Sequence, residues 1–239
     1  MLIEKFKPMD AFLGKTLLVF TAHPDDETFG MGGTIYKNQQ KGGRTFVVSA
    51  TLGEKGSSHL AKPVGEETLK AIRKKEILAA GRFLKVSRVH LLNLPDGKLH
   101  TMVPRMYREG LEIAREVKPD AILSFGRFGM SGHRDHIAAG QAAARIAAKL
   151  HIPIFTLTLP PKLVPNFVAR IKQRRRNPHY TRAKPFFEKP AVKISIDPAV
   201  KLKAARFHKS QLGGREPFAA FPPSIRRLRL RAEYFARQK

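Results

Sequence analysis

The 239-residue chain has no cysteine. That excludes a disulfide scaffold, a cysteine-ligated zinc ribbon and a thiol nucleophile. Acidic side chains are scarce: 19 Asp+Glu stand against 45 Lys+Arg, a formal net charge of +26. No run reaches the ~18 to 20 apolar residues that a transmembrane helix needs. The N-terminal stretch MLIEKFKPMDAFLGK has neither the apolar core nor the small-residue cleavage site of a secretory signal, so a cytoplasmic protein is expected. No internal repeat is found. With 42% hydrophobic residues, the chain can build a core, which excludes a disordered polybasic tail.

The few acidic residues are unevenly placed. Residues 160–239 hold 21 Lys+Arg and four Asp+Glu, leaving 24 basic and 15 acidic residues in 1–159. Carboxylates available for acid–base or metal chemistry therefore lie mostly in the first two thirds, and the last third reads as a basic surface.

Hydrophobic patterning predicts strands at 16–22, 45–51, 88–92, 120–125 and 153–159. Helices are expected between them at 29–41, 66–84, 102–117 and 137–150. This alternation argues for an α/β fold, a three-layer Rossmann-like arrangement with a mostly parallel sheet. Such sheets bind ligands beyond the carboxyl ends of their strands. After Pro160 the alternation weakens: a helix at 164–173, a basic loop at 174–184, a strand at 192–196 and two further helices are expected.

Two clusters follow strand ends. The first strand runs into His23-Pro24-Asp25-Asp26-Glu27, and the fourth, after a Gly-rich loop, into His133-Arg134-Asp135-His136. Taken alone, HPDDE also fits the first turn of a helix, where free N–H groups and the dipole favour carboxylates. The second cluster favours a metal site. Histidine and carboxylate are zinc ligands, and three protein ligands would leave a position for water. Other motif echoes are weaker. Gly14-Lys15-Thr16 lacks the upstream glycine of a phosphate loop and precedes a strand. Gly30-Met31-Gly32-Gly33 fits close helix–strand packing better than a dinucleotide fingerprint, and Gly129–His133 misses the last glycine of a serine elbow.

With these motifs the chain resembles the LmbE-like, or PIG-L-type, metal-dependent deacetylases. The signatures are residues 22–27 (AHPDDE) and 133–136 (HRDH, with Arg134 where the family usually has proline). Supporting them are 51–56 (TLGEKG), Arg73-x-x-Glu76, 94–97 (LPDG) and the closing His208-Lys209-Ser210-Gln211. The resemblance spans roughly 15–212. It implies one deacetylase domain over 1–239, with 213–239 as a basic helical extension, and removal of acetyl from an N-acetylglucosamine-type substrate. It implies His23, Asp26 and His136 as metal ligands and Asp25 as general base on the activated water. His133 would stabilise the oxyanion or protonate the leaving amine, Asp135 would orient it, and Arg73 and Asp96 would shape the substrate pocket. The implied cofactor is Zn2+, with Fe2+ or Co2+ open to a His2Asp site. The remaining histidines, His59, His90, His100, His151 and His179, read as structural or surface residues, with His59 in a loop that could border the pocket.

In the basic C-terminal third, Arg174-Arg175-Arg176 and 225–239 are densest. Ile225, Leu228, Ala232 and Phe235 recur at helical spacing, which predicts an amphipathic terminal helix. Its cationic face is either merely solvated or attracts nucleic acid, an anionic membrane or an anionic substrate. A non-catalytic polyanion binder on a deacetylase fold is thus the alternative to the enzyme.

Overall fold

The structure, a computed structural model, describes residues 12–171 and 177–238. The readings of residues 1–11 and of the run Arg174-Arg175-Arg176 lie outside the described residues. Within them, one sheet holds seven strands: β1 (Thr16–Thr21), β2 (Arg44–Ser49), β3 (Arg88–Leu91), β4 (Ala121–Phe125), β5 (Ile154–Leu157), β6 (Val192–Ser195) and β7 (Ala232–Arg237). Their order is β3-β2-β1-β4-β5-β7-β6. The first five pair in parallel, and β7 is antiparallel to both β5 and β6. In the central strand Leu17, Leu18, Val19 and Phe20 are fully buried, as a strand covered on both faces requires.

The chain steps outward from β1 to β3 and then returns to β4 on the other side of β1. This reversal opens a crevice beyond the carboxyl ends of β1 and β4. On one face, α1 (Asp26–Gln40), α2 (Glu66–Phe83) and α7 (Pro198–Ala205) pack together; on the other, α3 (Val103–Val117) packs with α5 (Arg134–Leu150). Shorter helices complete the chain: α4 (Gly129–Gly132), α6 (Val164–Ile171), α8 (Lys209–Leu212) and α9 (Pro223–Arg231). No helix of the described residues is long and apolar enough to cross a membrane.

Two helices start earlier than the periodicity predicts. Helix α1 begins at Asp26, with Asp26 and Glu27 in its first turn, where the unpaired amides favour anions. Helix α5 begins at Arg134 because His133 caps it: the Nδ1 of His133 accepts the Asp135 amide at 3.2 Å. Both chemical motifs are therefore helix N-terminal turns as well.

The glycines of α1 serve close packing, as expected. A Cβ on Gly33 would lie 2.5 Å from the Cβ of Ile196. The approach lets Glu233 of β7 reach the helix, where its carboxylate accepts the amides of Gly33 at 3.1 Å and Thr34 at 2.8 Å. Lys201 of α7 neutralises that buried carboxylate and donates to Gly30 O at 3.3 Å.

The terminal helix predicted for 225–239 is corrected by the structure. Helix α9 stops at Arg231, Ala232 turns extended at φ −154°, and residues 232–237 form β7 inside the sheet. The helical spacing of Ile225, Leu228, Ala232 and Phe235 is real, but β7 fills the slot between β5 and β6, with Phe235 opposite Leu157 and Val192. Ladder hydrogen bonds and burial on both faces decide the conformation there. That stretch of the supposed helical extension is sheet.

Candidate active site

A cavity of about 600 Å³ opens at the crevice beyond β1 and β4. His23, Asp25, Asp26, Arg73, Asp96, His133 and His136 all line it. Every site residue expected from the sequence except Asp135 is in the wall, and Asp135 lies directly behind, fully buried.

His23 is the hub. Its Nδ1 lies 3.4 Å from Asp26 Oδ2, and its Nε2 lies 3.0 Å from Asp96 Oδ1 and 3.3 Å from Asp135 Oδ2. The other oxygen of Asp26 lies 3.3 Å from His136 Nε2. The carboxylate of Asp26 thus bridges the two imidazoles. Ligand-type atoms of His23, His133 and His136 lie within 4.8 Å of one another, and so do those of His23, Asp96 and Asp135. His136 is steadied by Gly129 O at 3.1 Å from its Nδ1 and by parallel stacking on Phe125.

The surroundings set the charges. Burial disfavours protonated His23, yet hydrogen bonds to Asp135, Asp26 and Asp96 outweigh it and hold its pKa well above the usual value. Burial would raise Asp26, but the facing His136 and His23 pull it below the carboxylate range. Burial and the neighbouring imidazoles push His133 down to about 3, and burial lowers His136 as well. Burial is also the main cause that lifts Asp25 to about 6, partly countered by Arg73.

Asp25 is held in a strained conformation. Its φ is 105°, a region that side chains other than glycine rarely adopt, and such strain persists only where neighbours over-determine it. Three contacts do so. Arg73 donates to Pro24 O at 2.6 Å and to Asp25 Oδ2 at 3.2 Å. Glu27 accepts the Asp25 amide at 3.0 Å. Helix α1 then starts on Asp25 O, which accepts the amides of Thr28 and Phe29.

The supporting motifs prove to be one scaffold. Arg73 also donates to Gly53 O at 2.8 Å, and Gly53 must be glycine: at φ 72° it would drive a Cβ into the guanidinium. Glu54 accepts the amide of Asp96 at 2.9 Å, and Asp96 accepts the amide of Lys55 at 2.9 Å. Glu76 takes both the amide and the hydroxyl of Ser210, at 2.7 and 2.6 Å. His208 Nε2 lies 3.4 Å from Glu27 Oε1 and 3.0 Å from Thr28 Oγ1, so the closing motif braces the first one.

One expected relationship is corrected. Asp135 does not orient His133 through its carboxylate. Its oxygens accept the amides of Gly97 at 2.7 Å and Leu99 at 3.0 Å and face His23. Only its backbone amide serves His133. The cause is helix geometry: the side chain at the second position of α5 swings back over the LPDG turn, while His133 takes the cap. Arg73 and Asp96 reach the cavity, but Arg73 is tied to Asp25 and to the carbonyls of Pro24 and Gly53, and Asp96 to His23 and the Lys55 amide.

Sequence reasoning missed three participants. His179 stacks parallel to His133 at 5.9 Å between ring centres, and Tyr180 meets it edge-on at 5.0 Å. They come from an irregular loop with no periodic signal. Arg229 enters the cavity wall from α9, although its sequence places it in the basic segment 225–239, read as a cationic surface. His59, read as a structural or surface residue in a loop free to reach the pocket, does border the cavity.

Comparison with known proteins sharpens the picture. A family model described as PIG-L, GlcNAc-PI de-N-acetylase, matches residues 18–147. The chain is 30% identical over 197 residues to a probable N-acetyl-alpha-D-glucosaminyl L-malate deacetylase 2 of Bacillus anthracis, covering 82% of this chain and 80% of that protein. It is 34% identical over 132 residues to the Bacillus subtilis (strain 168) protein described in the same words, covering 54% of this chain. The match spans 59% of that relative's length. Among solved structures, N,N'-diacetylchitobiose deacetylase from Pyrococcus horikoshii superimposes with a TM-score of 0.65 at 25% identity, covering 94% of this chain and 84% of the other.

Proposed function

Because the chain belongs to the PIG-L family of GlcNAc-PI de-N-acetylases, we propose that it is a metal-dependent hydrolase that removes the acetyl group from an N-acetylglucosamine-type substrate. The observation that carries this reading is the bridge of His23, Asp26 and His136 at the cavity floor, next to the strained Asp25. The donor set fits a divalent cation: two imidazoles and one carboxylate, whose Oδ2 lies 3.4 Å from His23 Nδ1 and whose Oδ1 lies 3.3 Å from His136 Nε2. His23, Asp26 and His136 would hold it, zinc being the first candidate and Fe2+ or Co2+ alternatives. Such an ion lowers the pKa of water toward ~7 and polarises the acetamide carbonyl.

The remaining steps belong to the chain. Asp25 takes the proton of the attacking water and passes it to the leaving nitrogen. Arg73 holds one of its oxygens, which leaves the other to face the water. His133 stabilises the oxygen that becomes negative. Its Nδ1 accepts an amide proton from Asp135, so its own proton sits on Nε2, ready to donate. Asp96 and Asp135 fix the ring of His23 by binding its Nε2, which turns Nδ1 toward Asp26, where it would be free to hold a cation.

The test pairs metal analysis with a screen of N-acetylated sugars for amine release. Protein purified without added metal should carry about one divalent ion, the ratio expected of a single built site. Asp25→Asn should keep that ion and lose turnover by about 10² to 10⁴. Full activity in the variant would move the base elsewhere. Absence of both metal and amine release would favour the non-catalytic polyanion binder.

A further inference from the structure

The cavity is larger than the hydrolytic centre needs. Phe29, Phe167, Phe218 and Phe221 give it an aromatic lining, and Arg229 is set against three of them. The guanidinium lies 5.0 Å from the ring centre of Phe221 and 5.7 Å from that of Phe218, and donates to Phe29 O at 3.1 Å. No carboxylate of the described residues lies within ion-pair distance of it. Glu233, the acid that influences it through space, is taken by Lys201 and by two amides of α1. Burial lowers the pKa of Arg229 to about 10, which still leaves it charged at neutral pH.

The other charges on the cavity are neutralised from within. Lys55 pairs with Glu66, Arg73 with Asp25, and Glu216 with Arg206. Asp26 and Asp96 face His23. Besides Arg229, the unbalanced cation is Arg215 at the exposed rim, which bonds only Leu212 O. A cation partly removed from water without a counter-ion is costly. Such a group, with N–H donors left over and aromatic faces beside it, suits an anion delivered by a ligand. Phe29 O lies one turn along α1 from Asp26, a rise of about 5 Å. An anion on Arg229 therefore belongs to a different part of the substrate from the acetamide at the metal site.

We infer that Arg229 is a specificity-determining residue that binds an oxyanion, carboxylate or phosphate, carried by the group attached to the amino sugar. This rests on the deacetylase reading of the same cavity, and it narrows the substrate to acidic N-acetylglucosaminides. Phe218 and Phe221 pack against the carbon skeleton that bears the charge.

The test uses three ligands: the carboxymethyl and carbamoylmethyl α-glycosides of N-acetylglucosamine, which differ in charge and little in shape, and N-acetylglucosamine 1-phosphate. Their binding to the metal-loaded protein carrying Asp25→Asn is measured by calorimetry, so that turnover does not intervene. At low salt, one anionic ligand binds at least about tenfold more tightly than the carbamoylmethyl glycoside, as a charge-assisted bidentate contact implies. Whichever anion is preferred identifies the source, carboxylate or phosphate. Adding Arg229→Gln brings the ratio to about one, while Arg229→Lys keeps part of it, because charge remains and the fork is lost. The inference is overturned if the parent does not discriminate, if Arg229→Gln leaves the ratio intact, or if none of the three binds. Should Arg229→Gln not fold, the parent ratio and the lysine variant decide. Amine release from the neutral glycoside by the unmodified protein reports separately on the hydrolase reading.

Discussion

The carboxylate of Asp135 sits 3.3 Å from His23 Nε2 and is itself locked by the amides of Gly97 and Leu99. A residue of the second motif thereby orients His23 of the first, through a turn supplied by a third. Asp135→Asn should lower metal affinity by about 10- to 100-fold, the usual effect of losing a carboxylate behind a ligating histidine. Competition with a chelator measures it. If affinity is unchanged and only turnover falls, Asp135 acts through His133 instead.

Arg73 donates to Pro24 O and to the carboxylate of Asp25, which makes positioning of Asp25 its expected role. Replacing it by Met leaves Pro24 O and Gly53 O without their donor and Asp25 without its counter-ion. The expected loss of stability is about 1–3 kcal/mol for each orphaned acceptor, seen as a lower urea midpoint. Arg73→Lys keeps the charge but not the fork, and should depress kcat while KM stays near that of the parent. A rise in KM alone would mean that Arg73 serves by touching substrate.

Lys201 and Glu233 form a buried pair, 1% and 2% exposed at their side chains, that ties α7 and β7 to α1. Lys201→Met strands the carboxylate and should cost about 3–5 kcal/mol in chemical unfolding. Adding Glu233→Leu to it should recover part of that loss, because no unpaired charge is then buried. A double variant whose loss relative to the parent equals the sum of the two single losses would contradict the coupling.

Arg226, Arg227 and Arg231 are the arginines of α9 left for long-range attraction once Arg229 is assigned to the cavity. Changing these three to Gln should weaken association with DNA or anionic vesicles at low salt, since the attraction is screened over ~8 Å at physiological ionic strength. Turnover of a neutral N-acetylated sugar should stay within about threefold, as expected of surface changes away from the site. If the parent shows no salt-sensitive binding to either polyanion, the basic face is a solvated surface.

Local chemistry made much of this protein legible in its sequence. The alternation of strand and helix, the parallel sheet and the two motifs at strand ends follow from side-chain periodicity and helix-start preferences within a few residues. Those signals by themselves assign His23, Asp25, Asp26, His133 and His136 to the crevice beyond the strand ends. Tertiary structure alone decided three other matters. Residues 232–237 became a strand because the slot between β5 and β6 offered ladder partners, although their spacing suits a helix equally well. Asp135 came to serve His23 because a turn 36 to 38 residues away in sequence presents two amides to it. Arg229 differs from Arg227 and Arg231 only in where α9 docks, against Phe29, Phe218 and Phe221. Partner choice of this kind depends on distances through space, and hydrophobic spacing along the chain carries no record of them.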